Sequence, residues 1–192
     1  MSKRIALFSA AAFGALALTA TIVAPVSAQD KMKSEMSGQK TVMVGGAAMF
    51  PSKNIIQNAV NSKDHTTLVA AVKAAGLVDT LEGKGPFTVF APTNAAFGKL
   101  PAGTVDNLVK PENKATLTKI LTYHVVPGKL EESDLTDGKK LKTVQGEDLT
   151  VKRSGGKVMI IDAKGDSSTI TIPDVNQSNG VIQVVDTVLM PS

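Results

Sequence analysis

The stretch GPFTVFAPTNAAF, residues 85–97, is the part of the chain that decides its fold. Within it, residues 87–91 combine aromatic and β-branched side chains, which predicts a β-strand. Pro92 ends that strand, because proline has no N–H to donate to a sheet. Thr93 is a suitable N-cap for a helical turn, since its hydroxyl can accept from a main-chain N–H two or three positions later, and Asn94 could make the same cap. The segment therefore predicts a strand that leads directly into a helical turn.

Aromatic side chains are scarce, at 4% of the chain. Phe87, Phe90 and Phe97 lie in this one stretch, and Phe50 is the only other phenylalanine after residue 28. Because each aromatic side chain buries a large apolar area, we expect all four in the core.

Two further segments stand out beside this one. The first is YHVVPG, residues 123–128, and the second is NGVIQVVDTVLMP, residues 179–191. The second segment is almost continuously apolar from Val181 to Leu189, which predicts a central strand that is covered on both faces.

In this order and spacing, the three segments resemble the two homology strands and the tyrosine–histidine motif of fasciclin-type domains. The resemblance covers residues 52–192 and implies an α+β fold: a β-sandwich or wedge of short strands, flanked by an α-helical layer, with the two homology strands side by side. It also implies structural roles for the motif residues Phe87, Phe90, Thr93, Asn94, Phe97, Asn179, Gly180, Val181 and Asp186.

The rest of the pattern supports the α+β class independently. Apolar residues at helical spacing predict an early helix over residues 54–61, two more that Asp64 and Thr104 cap, and a fourth that Pro111 opens. Short β-branched runs separated by turn residues predict strands from Leu141 onward. Helices early and strands late are typical of an α+β domain.

The tyrosine–histidine pair supports two interpretations. In some fasciclin-type proteins the motif is linked to integrin binding, so the resemblance makes Tyr123 and His124 candidate partner-binding residues. The residues themselves favour a structural role, because His124 continues the apolar helical face of Leu117, Ile120 and Leu121. A histidine in that place is expected to be buried, neutral and hydrogen-bonded.

The N-terminal 28 residues have the pattern of a secretory signal. Lys3 and Arg4 precede an uncharged run rich in alanine and leucine, Pro25 breaks it, and small residues lead to a cleavage point near Ala28. An uncleaved membrane anchor is the alternative, since the run is about long enough to cross a bilayer. We expect cleavage, and with it a secreted or periplasmic protein that has no membrane span.

Residues 29–51 connect the signal to the domain. Residues 29–40 are polar without an apolar period, which predicts a flexible spacer. Residues 41–50 are apolar and interrupted by Gly45 and Gly46, and they form either an extended arm laid on the domain or the tail of the linker.

Composition excludes several kinds of site. Cysteine is absent, which excludes disulfides, thiolate metal ligands and a cysteine nucleophile. His65 and His124 are the only histidines, so a three-histidine metal centre is impossible. No nucleophile elbow of the form G-x-S-x-G occurs, and His65 lies in a helix-start pattern that predicts an exposed polar residue. We therefore expect no enzyme, no cofactor and no metal site.

The charge balance argues against nucleic acid as a partner. The chain has 21 basic and 17 acidic residues, and the first 28 residues hold two of the basic ones. Basic residues cluster at 139–142 and at 152–157; solvated strand and turn positions explain them best, and binding of a polyanion is the alternative. Exposed aromatics for stacking on single-stranded nucleic acid are lacking.

Together these features predict a secreted, non-enzymatic fasciclin-type protein, most similar to single-domain bacterial members, that acts as a monomer in adhesion to a cell-surface or extracellular-matrix component. The alternative is a binder of a small hydrophobic ligand, a lipid or a pigment, held between the helical layer and the sheet.

Overall fold

Most of the helices come before most of the strands, and this segregation is typical of an α+β domain. The computed structural model describes residues 41–192, so the expected signal and spacer lie outside the described residues. The α-helices in that range are α1 (Ile55–Ala59), α2 (Thr66–Ala75), α3 (Val78–Glu82), α4 (Asn94–Gly98), α5 (Thr104–Leu108) and α6 (Lys114–Tyr123). The strands are β1 (Val42–Val44), β2 (Ala47–Met49), β3 (Phe87–Pro92), β4 (Val125–Pro127), β5 (Lys140–Lys142), β6 (Asp148–Ser154), β7 (Lys157–Ile161), β8 (Ser167–Gln177) and β9 (Gly180–Val185). No helix within residues 41–192 is long and apolar enough to cross a membrane.

Seven strands form one sheet in the order β4-β3-β9-β8-β7-β6-β5. The two homology strands, β3 and β9, are parallel neighbours, with Thr88 opposite Val181. The other pairs in the sheet are antiparallel. The two edge strands approach each other, since the N–H of Val144 after β5 donates to the Val125 carbonyl in β4 at 2.8 Å. The sheet is therefore nearly closed on itself, and the predicted α+β wedge is confirmed.

Strand β9 is buried along its whole length, as its continuous apolar pattern predicts. The strand ends at Val185, however, and the prediction that it runs to Leu189 is wrong. Val185 is opposite Pro92, the last residue of β3. Beyond it, the Asp186 N–H still donates to the Thr169 carbonyl at 3.1 Å, and the Asp186 carboxylate accepts from the Thr169 N–H at 2.8 Å.

The nearly closed sheet produces two apolar cores. One lies between the sheet and the helices and includes Val89 and Ile182. The other lies inside the curved sheet and includes Phe90 and Leu149. Because successive residues of a strand point to opposite faces, β3 contributes to both cores and holds the two layers together.

The phenylalanines divide between core and margin. Phe90 and Phe97 are buried, as expected. Phe87 and Phe50 are only half-buried, which corrects the expectation that all four lie in the core. The ammonium of Lys53 lies 5.1 Å from the centre of the Phe50 ring, a distance at which a cation is attracted to an aromatic face.

Residues 41–50 form a hairpin from β1 and β2, which pair antiparallel with Val44 opposite Ala47. Val44 and Met49 are buried in the core beneath the helices. The turn of the hairpin rests on the segment before α2, where the Lys63 N–H donates to the Gly45 carbonyl at 3.2 Å. Of the two possibilities for this segment, the structure shows the arm laid on the domain.

Two predicted helix caps are wrong. Asp64 lies inside a short 3₁₀ turn, Lys63–His65, that precedes α2, and it does not cap the helix. Thr104 is the first residue of α5, which Gly103 precedes in a left-handed conformation. The 3₁₀ turn moves the start of α2 to Thr66, two residues after the expected cap. Helix α5 instead begins at the expected cap residue itself, directly after Gly103.

Candidate functional site

Tyr123, the last residue of α6, is fully buried. Its hydroxyl accepts a hydrogen bond from the Ala163 N–H at 2.9 Å and donates to the Asp148 carbonyl at 3.3 Å. Burial raises the pKa of the Tyr123 phenol, so the group is neutral and can both donate and accept. The side chain ties α6 to the end of β7 and the start of β6.

His124 caps the C-terminus of α6 and is 2% exposed. Its Nδ1 lies 2.9 Å from the Ile120 carbonyl and its Nε2 lies 2.9 Å from the Leu189 N–H. A carbonyl can only accept and an N–H can only donate, so these partners assign the neutral tautomer with the proton on Nδ1. Burial lowers the pKa of His124 to about 4, against weaker opposing effects of the Ile120 carbonyl and the Asp162 carboxylate.

Asp162 completes this arrangement, and sequence reasoning gave it no role. It is 6% exposed, and one carboxylate oxygen accepts from the N–H groups of Lys164 and Asp166 at 3.0 and 2.9 Å. The other oxygen accepts from the Met190 N–H at 2.9 Å. An aspartate two residues before an N–H it can reach is typical of an Asx turn, and the Lys164-Gly165 turn signal after it could have indicated this.

His124 and Asp162 therefore hold the segment after β9, through the N–H groups of Leu189 and Met190. Tyr123 anchors the C-terminal end of α6, next to His124. We name Tyr123, His124 and Asp162 the tail clamp. Each of its polar atoms described above is engaged inside the protein. The clamp can fix a segment of chain in place; direct contact of Tyr123 and His124 with a partner stays a prediction.

We expect Tyr123→Phe to lower the free energy of unfolding by about 1–2 kcal/mol, because the Ala163 N–H loses its acceptor. Urea unfolding followed by circular dichroism measures the change. Thr122→Ala is the matched control, since that hydroxyl bonds only to carbonyls of its own helix and its loss should change stability by less than about 0.5 kcal/mol. If the Tyr123→Phe protein is as stable as the original, the hydrogen bonds of the Tyr123 hydroxyl do not stabilise the fold.

The first homology segment ties helices to the sheet. The Thr93 hydroxyl accepts from the Ala96 N–H at 3.3 Å, so Thr93 is the N-cap of α4. Asn94 has a different role: its side-chain oxygen accepts from the Thr67 N–H at 3.0 Å, and its amide donates to the Lys63 carbonyl at 2.8 Å. Asn94 thus joins the start of α4 to the start of α2.

The second homology segment does the same at the opposite end of the strands. The Asn179 side chain accepts from the Ile55 N–H at 3.1 Å and donates to the carbonyls of Leu81 and Gly83 at 2.7 and 3.0 Å. Gly180, which follows it, lies directly against the main chain of Phe87. The motif residues on the two strands are therefore brought together, and Val181 is fully buried.

His65 is buried, at 3% exposure, and the prediction of an exposed polar residue is wrong. The hairpin turn bonds the neighbouring Lys63, and His65 lines the same cavity as Val44 and Met49 of the hairpin, which a helix-start pattern alone could not indicate. Its Nδ1 lies 2.9 Å from the Ser62 hydroxyl, and within residues 41–192 its Nε2 has no hydrogen-bond partner. Burial lowers the pKa of His65, and the Ala91 carbonyl and the Asp64 carboxylate oppose that effect more weakly.

An apolar cavity of about 40 Å³ lies between the helices, the hairpin and the sheet. His65 and His124 both line it, and the other lining side chains are apolar, Val44, Met49 and Leu68 among them. An apolar cavity that binds benzene measures about 150 Å³, so in this conformation the space is too small for a lipid or a pigment.

The part of the chain from residue 41 to 192 brings no three His, Asp or Glu side chains together that could hold a metal ion. The carboxylates of Asp162 and Asp186 instead accept hydrogen bonds from main-chain N–H groups.

Comparison with known proteins identifies the class. The family model described as Fasciclin domain matches residues 63–191. The chain belongs to this family, as its three sequence segments predict.

Three similar proteins come from bacteria. Protein sll1483 of Synechocystis sp. is 48% identical over 153 residues, covering 80% of this chain and 82% of its own length. Immunogenic protein MPB70 of Mycobacterium bovis is 35% identical over 199 residues, covering 100% of this chain and 98% of its own. Cell surface glycolipoprotein MPB83 of the same species is 38% identical over 163 residues, covering 82% of this chain and 70% of its own.

A solved structure shows the same fold. It is a FAS1 domain pair from the insect cell adhesion molecule Fasciclin I, with a TM-score of 0.66 and 19% identity. The match covers 79% of this chain and 58% of that chain. At this identity the likeness establishes the fold alone.

Proposed function

We propose that this chain is an exported fasciclin-domain protein that interacts through its outer surface with a cell-surface or extracellular-matrix component. It acts as a monomer, is cleaved near Ala28, and catalyses no reaction. The observation that carries the proposal is the tail clamp: the side chains of Tyr123, His124 and Asp162 are engaged in internal hydrogen bonds rather than presented to a substrate. One similar protein, MPB83, is a cell surface glycolipoprotein, which supports an extracytoplasmic place.

Within this proposal, Tyr123 and His124 support the binding surface from inside rather than touching the partner. Both side chains are almost completely buried. A variant of either residue that keeps its unfolding temperature but loses partner binding would instead favour direct contact.

Crosslinking on intact cells tests the function. The exported protein, carrying a photoreactive label, is incubated with cells and matrix of its native host, irradiated and recovered. We expect one dominant surface component, and an excess of unlabelled protein should abolish its capture. Labelling without saturation or competition would contradict a specific surface interaction.

One observation favours a second function, binding of a small hydrophobic ligand. His65 lines the apolar cavity, and its Nε2, which has no hydrogen-bond partner among residues 41–192, could bond the polar end of such a ligand. A lipid or pigment would enter only if the hairpin of residues 42–49 moved away. Lipid extraction and mass spectrometry of protein purified from its native host decide this: a stoichiometric ligand supports the second function, and a ligand-free protein that binds cells supports the first.

A further inference from the structure

The two basic clusters of the sequence meet on one face of the sheet. Strand β5 carries Lys140 and Lys142, β6 carries Lys152, and β7 begins with Lys157. The residues that alternate with them, such as Leu141, are buried, so the four lysines point to the solvent side.

Strand register places these lysines in four successive rows across the sheet. The facing pairs are Lys142 with Asp148, Lys140 with Thr150, Lys152 with Met159, and Lys157 with Ser154. Rows on one face are two residues apart, or about 7 Å, so the Cα atoms of the four lysines follow a diagonal about 20 Å long. We name Lys142, Lys140, Lys152 and Lys157 the lysine stripe.

The other basic residues of the clusters have structural partners. The Lys139 ammonium donates to the Asp134 carbonyl at 2.8 Å. The Arg153 guanidinium donates to the Leu135 carbonyl at 2.7 Å and lies 3.8 Å from the Glu132 carboxylate. Lys139 and Arg153 are therefore held by contacts within the protein and are not part of the lysine stripe.

The stripe carries a net positive charge. All four lysines are exposed, and none forms an ion pair with another residue in the range 41–192. Asp148, beside Lys142 at one end, is the only acidic side chain in these rows. Four like charges in neighbouring rows repel one another, and an external anion would relieve that repulsion.

We propose that the lysine stripe binds a linear acidic polysaccharide, one that carries carboxylate or sulfate groups along its chain. This inference rests on the proposed function and names the chemistry of its surface or matrix partner. A row of single charges along a diagonal complements an extended polyanion, whose charges also repeat along a line. The half-buried side chains of Met159 and Ile161 lie in the same rows and offer apolar contact for the C–H faces of sugar rings.

Other anionic partners fit the same face less well. Single-stranded nucleic acid binds by stacking on aromatic side chains, and the rows of β5, β6 and β7 contain none. A membrane surface is bound by apolar side chains that insert between lipids, and Met159 and Ile161 are too far buried to insert.

Binding to immobilised polygalacturonate and heparin, with neutral dextran as the blank, tests the proposal on the full chain. We expect replacement of all four stripe lysines by glutamine to weaken binding at least about tenfold and to flatten its dependence on salt. The matched control replaces Lys73, Lys84, Lys110 and Lys114 by glutamine; these are exposed, carry the same total charge and lie outside the stripe. We expect the control to bind within about twofold of the original.

Several results would overturn the proposal. Equal weakening in both variants would show a net-charge effect rather than a site. No weakening in either variant, or equal binding to dextran, would show that the lysine stripe is not the polysaccharide-binding site. Binding to anionic vesicles or to a single-stranded oligonucleotide, without binding to either polysaccharide, would assign the stripe to a different partner. Circular dichroism confirms that both variants fold, and Lys140→Gln with Lys152→Gln replaces the quadruple variant if it does not.

This test separates the stripe from the broader proposal. Polysaccharide binding that the stripe variant loses, in a protein that captures nothing on cells, would support the stripe and contradict adhesion. Specific capture on cells by a protein that binds neither polysaccharide would support adhesion and contradict the stripe.

Discussion

Gly180→Ala will lower the free energy of unfolding by about 3 kcal/mol or more, a large loss for one methyl group. Gly180 is the first residue of β9 and is opposite Phe87 in the parallel pair with β3. A Cβ at position 180 would overlap the Phe87 carbonyl. That atom belongs to the main chain and cannot rotate away, so the substitution forces apart the two strands that join both cores.

The matched control is Gly98→Ala. Gly98 is the last residue of α4, and a Cβ added there meets no atom within 4 Å. Because alanine favours a helix over glycine, we expect this variant to be as stable as the original or slightly more stable. Urea unfolding of both proteins makes the comparison. If Gly180→Ala proves no worse than Gly98→Ala, the close contact between β3 and β9 is not a requirement of the fold.

Acid will destabilise this protein by about 3 kcal/mol through His124 alone. Burial lowers the pKa of His124 from 6.5 in the unfolded chain to about 4 in the folded one. Between these values the unfolded chain binds more protons, so stability is full above pH 6.5 and falls as the pH drops towards 4. Protonation of Nε2 also removes the acceptor of the Leu189 N–H and releases part of the tail clamp.

Unfolding free energies measured from pH 7.5 to 3.5, a range of about four units that spans both pKa values, test this expectation. At neutral pH we expect His124→Ala to cost about 1–3 kcal/mol, because the Ile120 carbonyl and the Leu189 N–H lose their partner. The difference from the original should shrink towards pH 4, where the original has lost its advantage.

His65→Ala provides the control for the acid transition. Burial also lowers the pKa of His65, so this variant loses that group's share of the pH dependence and retains the share of His124. A pH profile unchanged by His124→Ala would contradict the buried neutral histidine.

The sequence predicts the framework well because its signals there are local. The continuous apolar run after Asn179 predicts a strand buried on both faces, and β9 is one. Thr93 is followed by a helical turn and caps it, as its residue type favours. These features depend on interactions within a few residues, which residue type and spacing describe directly.

The sequence fails where burial depends on a distant segment. Nothing near His65 in the sequence indicates that the folded chain buries it, so the local pattern predicts an exposed residue. The role of Asp162 is equally hard to predict from sequence, since its partner Met190 is 28 positions away. Each side chain belongs to a contact made only when the chain folds back on itself.

The pattern along this chain was enough to assign the α+β class, because hydrophobic period and turn chemistry act over short distances. The family and the pairing of the homology strands followed from the resemblance of three ordered motifs to fasciclin-type domains. The tail clamp, the covered His65 and the lysine stripe were decided by the tertiary structure. Strand register and chain closure bring residues from separate segments to one place, and no local pattern encodes which side chains will then face each other.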